Sequence, residues 1–221
     1  MSTTRELELR LLPRVTPAPD ARWIAAARRV RILSWVSLVW MGAEGVIAIT
    51  AGVLAGSIAL IGFGIDSAIE GFASVIIIWR FTGARIHSEA AERRAQKLVA
   101  IQFFLLAPYV TYEAIHTLVT SDEPSVSWLG VALATSSLIG MPLLGIAKRR
   151  LANQLGSAAT RGEGNQNLLC AYLAAAVLVG LLGNALLGFW WLDPAAALLI
   201  AAVALKEGRE SWRGEGCCAS C

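Results

Sequence analysis

Residues 57–81, SIALIGFGIDSAIEGFASVIIIWRF, decide the fold, because their length and composition suit lipid better than water. Before Arg80 the only ionisable groups are Asp66 and Glu70, and the rest is aliphatic, aromatic or small. At about 1.5 Å per residue, a helix of this length crosses the roughly 30 Å hydrocarbon core of a bilayer. The stretch lacks the alternation of a barrel strand, and in lipid a helix satisfies its backbone polar groups internally.

Working outward, stretches of the same character recur at 32–54, 98–120, 126–147, 165–189 and 191–205. The 221 residues are 56% hydrophobic and 16% charged, with a mean hydropathy of +0.60, a composition unlike that of a soluble domain. The expectation is an all-α membrane protein, a six-transmembrane-helix bundle over 32–206. Residues 1–31 read as an N-terminal arm, arginine-rich and without the apolar run of a signal peptide, and 207–221 as a short cysteine-containing tail. Pro108 and Pro142 fall inside the third and fourth spans, where neighbouring helices accommodate a kink. No internal repeat is evident at this level.

Charge fixes the expected orientation. All 19 Lys and Arg residues fall on alternate segments: before the first span, from Arg80 to Lys97, from Lys148 to Arg161, and at Lys206, Arg209 and Arg213 after the sixth. The opposite connections carry none, and one of them, residues 121–125, is acidic. The positive-inside rule then places both termini in the cytoplasm. Basic residues placed this way serve topology, and no nucleic-acid-recognition motif accompanies them.

Four acids lie inside spans: Glu44, Asp66, Glu70 and Glu113. A central Asp costs about 2.5 to 3.5 kcal/mol to insert, so such groups face a polar cavity, a partner or an ion pathway. Asp66 and Glu70 are four apart and share one helical face, where two carboxylates can converge on a cation. The bland alternative is a neutral hydrogen-bonded pair that joins helices. Glu44 lies at a similar depth and is a possible extra ligand. Glu113 and His116, three apart, are candidates for a secondary ion or proton pathway, or for a plain buried pair. Gln166 and Cys170 share a face of the fifth span; a buried Cys is most often a small core residue, but a thiolate also binds soft metals. Asn184 reads as an interhelical hydrogen-bonding group.

Together these residues resemble the cation diffusion facilitator family of six-span, usually dimeric, proton-coupled metal exporters. Gly56-Ser57-Ile58-Ala59-Leu60, followed by Asp66 and Glu70, is similar to the family's Ser-x-Ala-Leu lead-in and its paired-acid metal motif. Arg161-Gly162-Glu163 and Gln166-Asn167-Leu168-Leu169-Cys170 stand where the family has a second His/Asp and Asp motif, and Asp193-Pro194 resembles its turn into the sixth span. The resemblance implies a metal set of Asp66, Glu70, Gln166 and Cys170, with two carboxylates where the family has more. It also implies that the family's cytoplasmic C-terminal domain is missing here. Cys217, Cys218 and Cys221 are candidates for metal capture in the tail, with lipidation or no role as rivals.

The expected function is proton-coupled efflux of a divalent metal, zinc first, by alternating access in a homodimer, from the plasma membrane of a bacterium. No catalytic cofactor and no enzyme motif is expected. The alternative is a membrane-embedded metal-binding or regulatory protein without net transport.

Overall fold

The computed structural model describes residues 20–55, 58–120, 128–187 and 191–213, and the described chain is helical throughout, without strands. Six long helices follow in order: α1 (Ala21–Ala55), α2 (Ile58–Arg80), α3 (Glu89–Thr120), α4 (Trp128–Leu155), α5 (Ala158–Leu187) and α6 (Leu192–Arg213). A 3-10 turn at Gly83–His87 links α2 to α3. Among the described residues, α1, α3 and α4 are each long and apolar enough to cross a membrane. Pro108 and Pro142 lie within continuous helices. The arm before Asp20, the acidic turn at 121–125 and the cysteines of the tail lie outside the described residues.

Five helices overrun the expected spans, all at the end that carries the basic residues. α1 begins at Ala21, α3 at Glu89 and α5 at Ala158, while α4 continues to Leu155 and α6 to Arg213. Hydropathy marks only the part of a helix that sits in hydrocarbon; these polar extensions are set by caps and tertiary contacts. Asp20 Oδ1 accepts from the Trp23 amide at 2.7 Å and starts α1. Ser88 Oγ accepts from the Ala91 amide and starts α3. Between α4 and α5, Gly156 takes φ +61°, and the Ser157 amide reaches back to the Ala152 carbonyl at 3.1 Å, which closes α4 with a left-handed glycine. Ser157 Oγ then accepts from the Thr160 amide and caps α5.

The same end is tied together across the bundle. Glu92 on α3 pairs with Arg80 of α2 at 2.8 Å, and its other oxygen accepts from Ser157 Oγ and the Ala159 amide at the start of α5. The Trp23 indole donates to the Leu155 carbonyl, fastening the start of α1 to the end of α4. Above this end, one apolar core runs through Val30, Ile77, Phe81, Val99, Phe103, Leu106 and Ala204.

The helices pack most extensively as α1 with α2, α4 with α5 and α3 with α6, and α5 also meets α2, α3 and α6. Two of these pairings repeat. A Cβ on Gly64 would stand 2.9 Å from the Gly45 carbonyl oxygen, and one on Gly145 would stand 2.8 Å from that of Gly164. Gly145 and Gly164 follow Gly45 and Gly64 by one hundred residues, and at that offset Ser37, Met41, Gly56-Ser57 and Gly62 match Ser137, Met141, Gly156-Ser157 and Gly162. Two glycine contacts thus recur at an offset that the sequence reading did not pick out.

Candidate functional site

At the one-hundred-residue offset, Asp66 of α2 corresponds to Gln166 of α5, and Glu70 to Cys170. The repeat therefore brings the two halves of the predicted set to equivalent places on equivalent helices. Glu70, Gln166 and Cys170 are buried, as is Glu44 on α1. Asp66 and Glu44 lie within electrostatic range of Glu70, and the Cys170 thiol lies beside the Glu70 carboxyl, outside the geometry of a strong hydrogen bond. Glu44 Oε1 accepts a hydrogen bond from Ser137 Oγ of α4 at 2.5 Å.

The other polar atoms here are without partners. Glu44 Oε2, Asp66 Oδ1, both oxygens of Glu70 and both amide atoms of Gln166 are buried and unbonded. Gln102 on α3 joins them: its amide nitrogen donates to the Ile69 carbonyl, one residue before Glu70, and its oxygen has no partner. Each buried unsatisfied group costs about 1–3 kcal/mol, so their concentration at one depth, on four helices, needs a reason. As they stand, no three His, Cys, Asp or Glu side chains among the described residues are close enough to hold a metal ion. The acids are gathered but not converged.

Glu113 and His116 stand apart from this set. Both are half-buried on α3, and the His116 ring packs 5.9 Å from that of Tyr112. Tyr109, one turn earlier on the same helix, lies within electrostatic range of both Asp66 and Glu113. Cys217, Cys218 and Cys221 lie outside the described residues, as does the side chain of Asn184.

Sequence reasoning missed a fully buried, hydrogen-bonded charge cluster. Lys148, expected in a basic loop after the fourth span, is fully buried on α4. Its Nζ donates to Glu163 Oε1 at 2.8 Å, Ser37 Oγ at 2.6 Å and Asn167 Oδ1 at 2.9 Å. Glu163 Oε2 accepts from Ser34 Oγ at 2.8 Å, and the Asn167 amide donates to Met141 Sδ. One signal was available: Lys148 and Glu163 are nearly equidistant from the Gly156-Ser157 turn, and such positions face each other across a tight helical hairpin.

A groove of about 640 Å³ runs along the outer side of α1 and α4, lined by Trp35, Val39, Trp40, Ile47 and Leu133, with Glu44 and Ser136 in its wall. Glu44 thus stands between this apolar face and the central acids.

Comparison with known proteins agrees with this architecture. The model of the cation efflux transmembrane domain matches residues 34–213, a stretch that begins within α1, runs to the end of α6 and includes every residue of the buried set. Transmembrane protein 163 of Xenopus laevis is 25% identical over 178 residues, which cover 80% of this chain and 63% of that protein. The protein is an integral membrane protein whose family moves metal cations, and the chain belongs to the cation efflux family through its transmembrane domain.

Proposed function

We propose that this chain is a proton-coupled carrier that exports zinc or a related divalent transition metal by alternating access. The observation that carries the reading is the set of unpartnered buried atoms on Glu44, Asp66, Glu70, Gln102 and Gln166, beside the Cys170 thiol. Oxygen donors with one sulfur suit a borderline metal, and a divalent cation compensates carboxylates that otherwise repel one another. In this reading Asp66 and Glu70 are the principal ligands, Gln166 and Cys170 complete the site, and Glu44 adds a carboxylate when the helices close on the ion. Binding displaces protons from these groups, which couples the ion to a proton gradient. Glu113 and His116 form the secondary proton or ion path in this reading, with Tyr109 within electrostatic range of both Glu113 and Asp66.

The collection of polar helix extensions and basic residues at one end supports a cytoplasmic position for that end and for both termini, in a plasma membrane. A homodimer is the expected assembly.

The test is flux into liposomes under an imposed proton gradient, over a panel of zinc, cadmium, cobalt, nickel, iron and manganese. The expected result is uptake of zinc that Asp66→Asn and Glu70→Gln each reduce at least ~100-fold, the size of effect that follows removal of a main ligand. Stoichiometric binding without flux overturns the carrier. That outcome selects a second reading, a metal-binding regulatory protein, which is favoured by the neutral Gln166 and Cys170 and by the unconverged acids.

A further inference from the structure

We infer that Lys148 and Glu163 form a latch that seals one end of the carboxylate site, so that the pair sets how fast the site opens to that end without itself touching the ion. The inference rests on the transport reading for its role in the cycle, but the latch itself is a matter of access and can be tested without flux.

Position is the first argument. Glu163 precedes Gln166 and Cys170 on α5 by three and seven residues, about 4.5 and 10.5 Å along the axis. Ser34 and Ser37 precede Glu44 on α1 by ten and seven residues, about 15 and 10.5 Å. Lys148 follows Ser137, the partner of Glu44, by eleven residues on α4, toward the Gly156 turn. Every member of the network except Asn167 therefore lies on the same side of the acids, between them and the basic end. Asn167 follows Gln166 in the chain, and its amide group bonds to Lys148 and Met141.

Saturation is the second. All three ammonium donors of Lys148 are used, on α1 and α5, and both oxygens of Glu163 accept, from α4 and α1. A buried ion pair adds little net stability compared with an apolar pair of the same shape, but a fully bonded one holds a single geometry. Three helices are held at one level by five side chains. Opening this end requires α1 or α4 to separate from α5, and the network must come apart.

The repeat supplies the third. The positions that correspond to Lys148 and Glu163 in the first half are Ala48 and Phe63. Consecutive helices joined by short links run in opposite directions, so the equivalent contact lies toward the opposite end of the site. There Gly45 packs against Gly64, as Gly145 packs against Gly164 on the latch side. The glycine contact is common to both halves, and the ion pair is what only the second half carries.

The experiment replaces Cys217, Cys218 and Cys221 with Ser in the full chain, which leaves Cys170 as the single thiol, and labels the protein in liposomes with a small methanethiosulfonate and with a bulky maleimide. A change in thiol reactivity alters both rates alike, whereas an opening alters their ratio. Glu163→Gln is expected to raise the bulky-to-small ratio roughly tenfold, the population shift that follows loss of one charge-assisted contact. The charge-exchanged Lys148→Glu/Glu163→Lys is expected to return the ratio toward that of the parent. Should Glu163→Gln not fold, Ser34→Ala/Ser37→Ala weakens the latch without stranding a charge and is expected to raise the ratio severalfold. An unchanged ratio in the folded variants overturns the latch, as does a charge-exchanged protein that stays as open as Glu163→Gln. Flux on the same preparations separates the two readings: a parent protein that shows no flux refutes the carrier, while the labelling ratio still decides the latch.

Discussion

At the scale of single residues, Lys148 and Glu163 show why a buried charge is judged by its partners. Both are almost wholly out of contact with solvent; all three Lys148 donors are used, and both Glu163 oxygens accept a hydrogen bond. Lys148→Met alone leaves a carboxylate in apolar surroundings and is expected to cost about 3 kcal/mol, while Lys148→Met/Glu163→Leu recovers most of that loss. Unfolding in mixed micelles measures both, and a double variant no better than the single one contradicts the account. The central acids behave in the opposite sense. Asp66 and Glu70 carry unpartnered oxygens and lie close to Glu44, so their arrangement serves binding at the expense of stability. Glu70→Gln is expected to abolish ion binding and to raise the stability of the ion-free protein by about 1 kcal/mol, read as a higher unfolding midpoint. If the acids merely held helices together, the same substitution would lower the midpoint.

At the scale of elements, the bundle depends on two close helix contacts and one tight turn. Gly64→Ala puts a Cβ 2.4 Å from Ile49 Cγ1 and 2.9 Å from the Gly45 oxygen, so α1 and α2 must move apart. A loss of about 1–3 kcal/mol is expected, seen as a fall in the fraction that elutes as folded protein after mild heating. Gly42→Ala, three residues before Gly45 on the same helix, meets nothing within 4 Å and is expected to be neutral or slightly stabilising. Gly156→Ala is expected to cost about 1 kcal/mol, since a side chain must then adopt the left-handed conformation that ends α4. The helices themselves were legible from hydropathy. Their lengths were not, because Asp20, Ser88, Ser157 and the Arg80–Glu92 pair determine where they start and stop beyond the hydrocarbon.

At the scale of the whole molecule, α1–α2 and α4–α5 are paired alike, α3 and α6 pair with each other, and the candidate site lies where α2 and α5 meet between the two pairs. The repeat makes the site's asymmetry visible: acids on α2, a neutral amide and a thiol on α5, and a cation on α4 where α1 has Ala48. With two carboxylates as principal ligands, zinc binding near neutral pH is expected to release about one to two protons per ion, measurable with a pH indicator in weakly buffered solution. Binding without proton release contradicts proton coupling at this site.

The sequence by itself determined the solvent, the helical class, the family resemblance and the acids on which the proposed site rests, because those follow from hydropathy, helical spacing and the high cost of charge in lipid. It also placed Glu113 and His116 on the same helix, though not Tyr109 within electrostatic range of both Glu113 and Asp66. Only the tertiary structure decided which polar groups are satisfied and which are not. Lys148 looked like one more basic residue in a loop, and Glu163 like part of a degenerate motif, until the α4–α5 hairpin brought them to 2.8 Å and α1 enclosed them. Burial and hydrogen bonding depend on which helix comes to lie beside a residue, and one strand of sequence cannot state that.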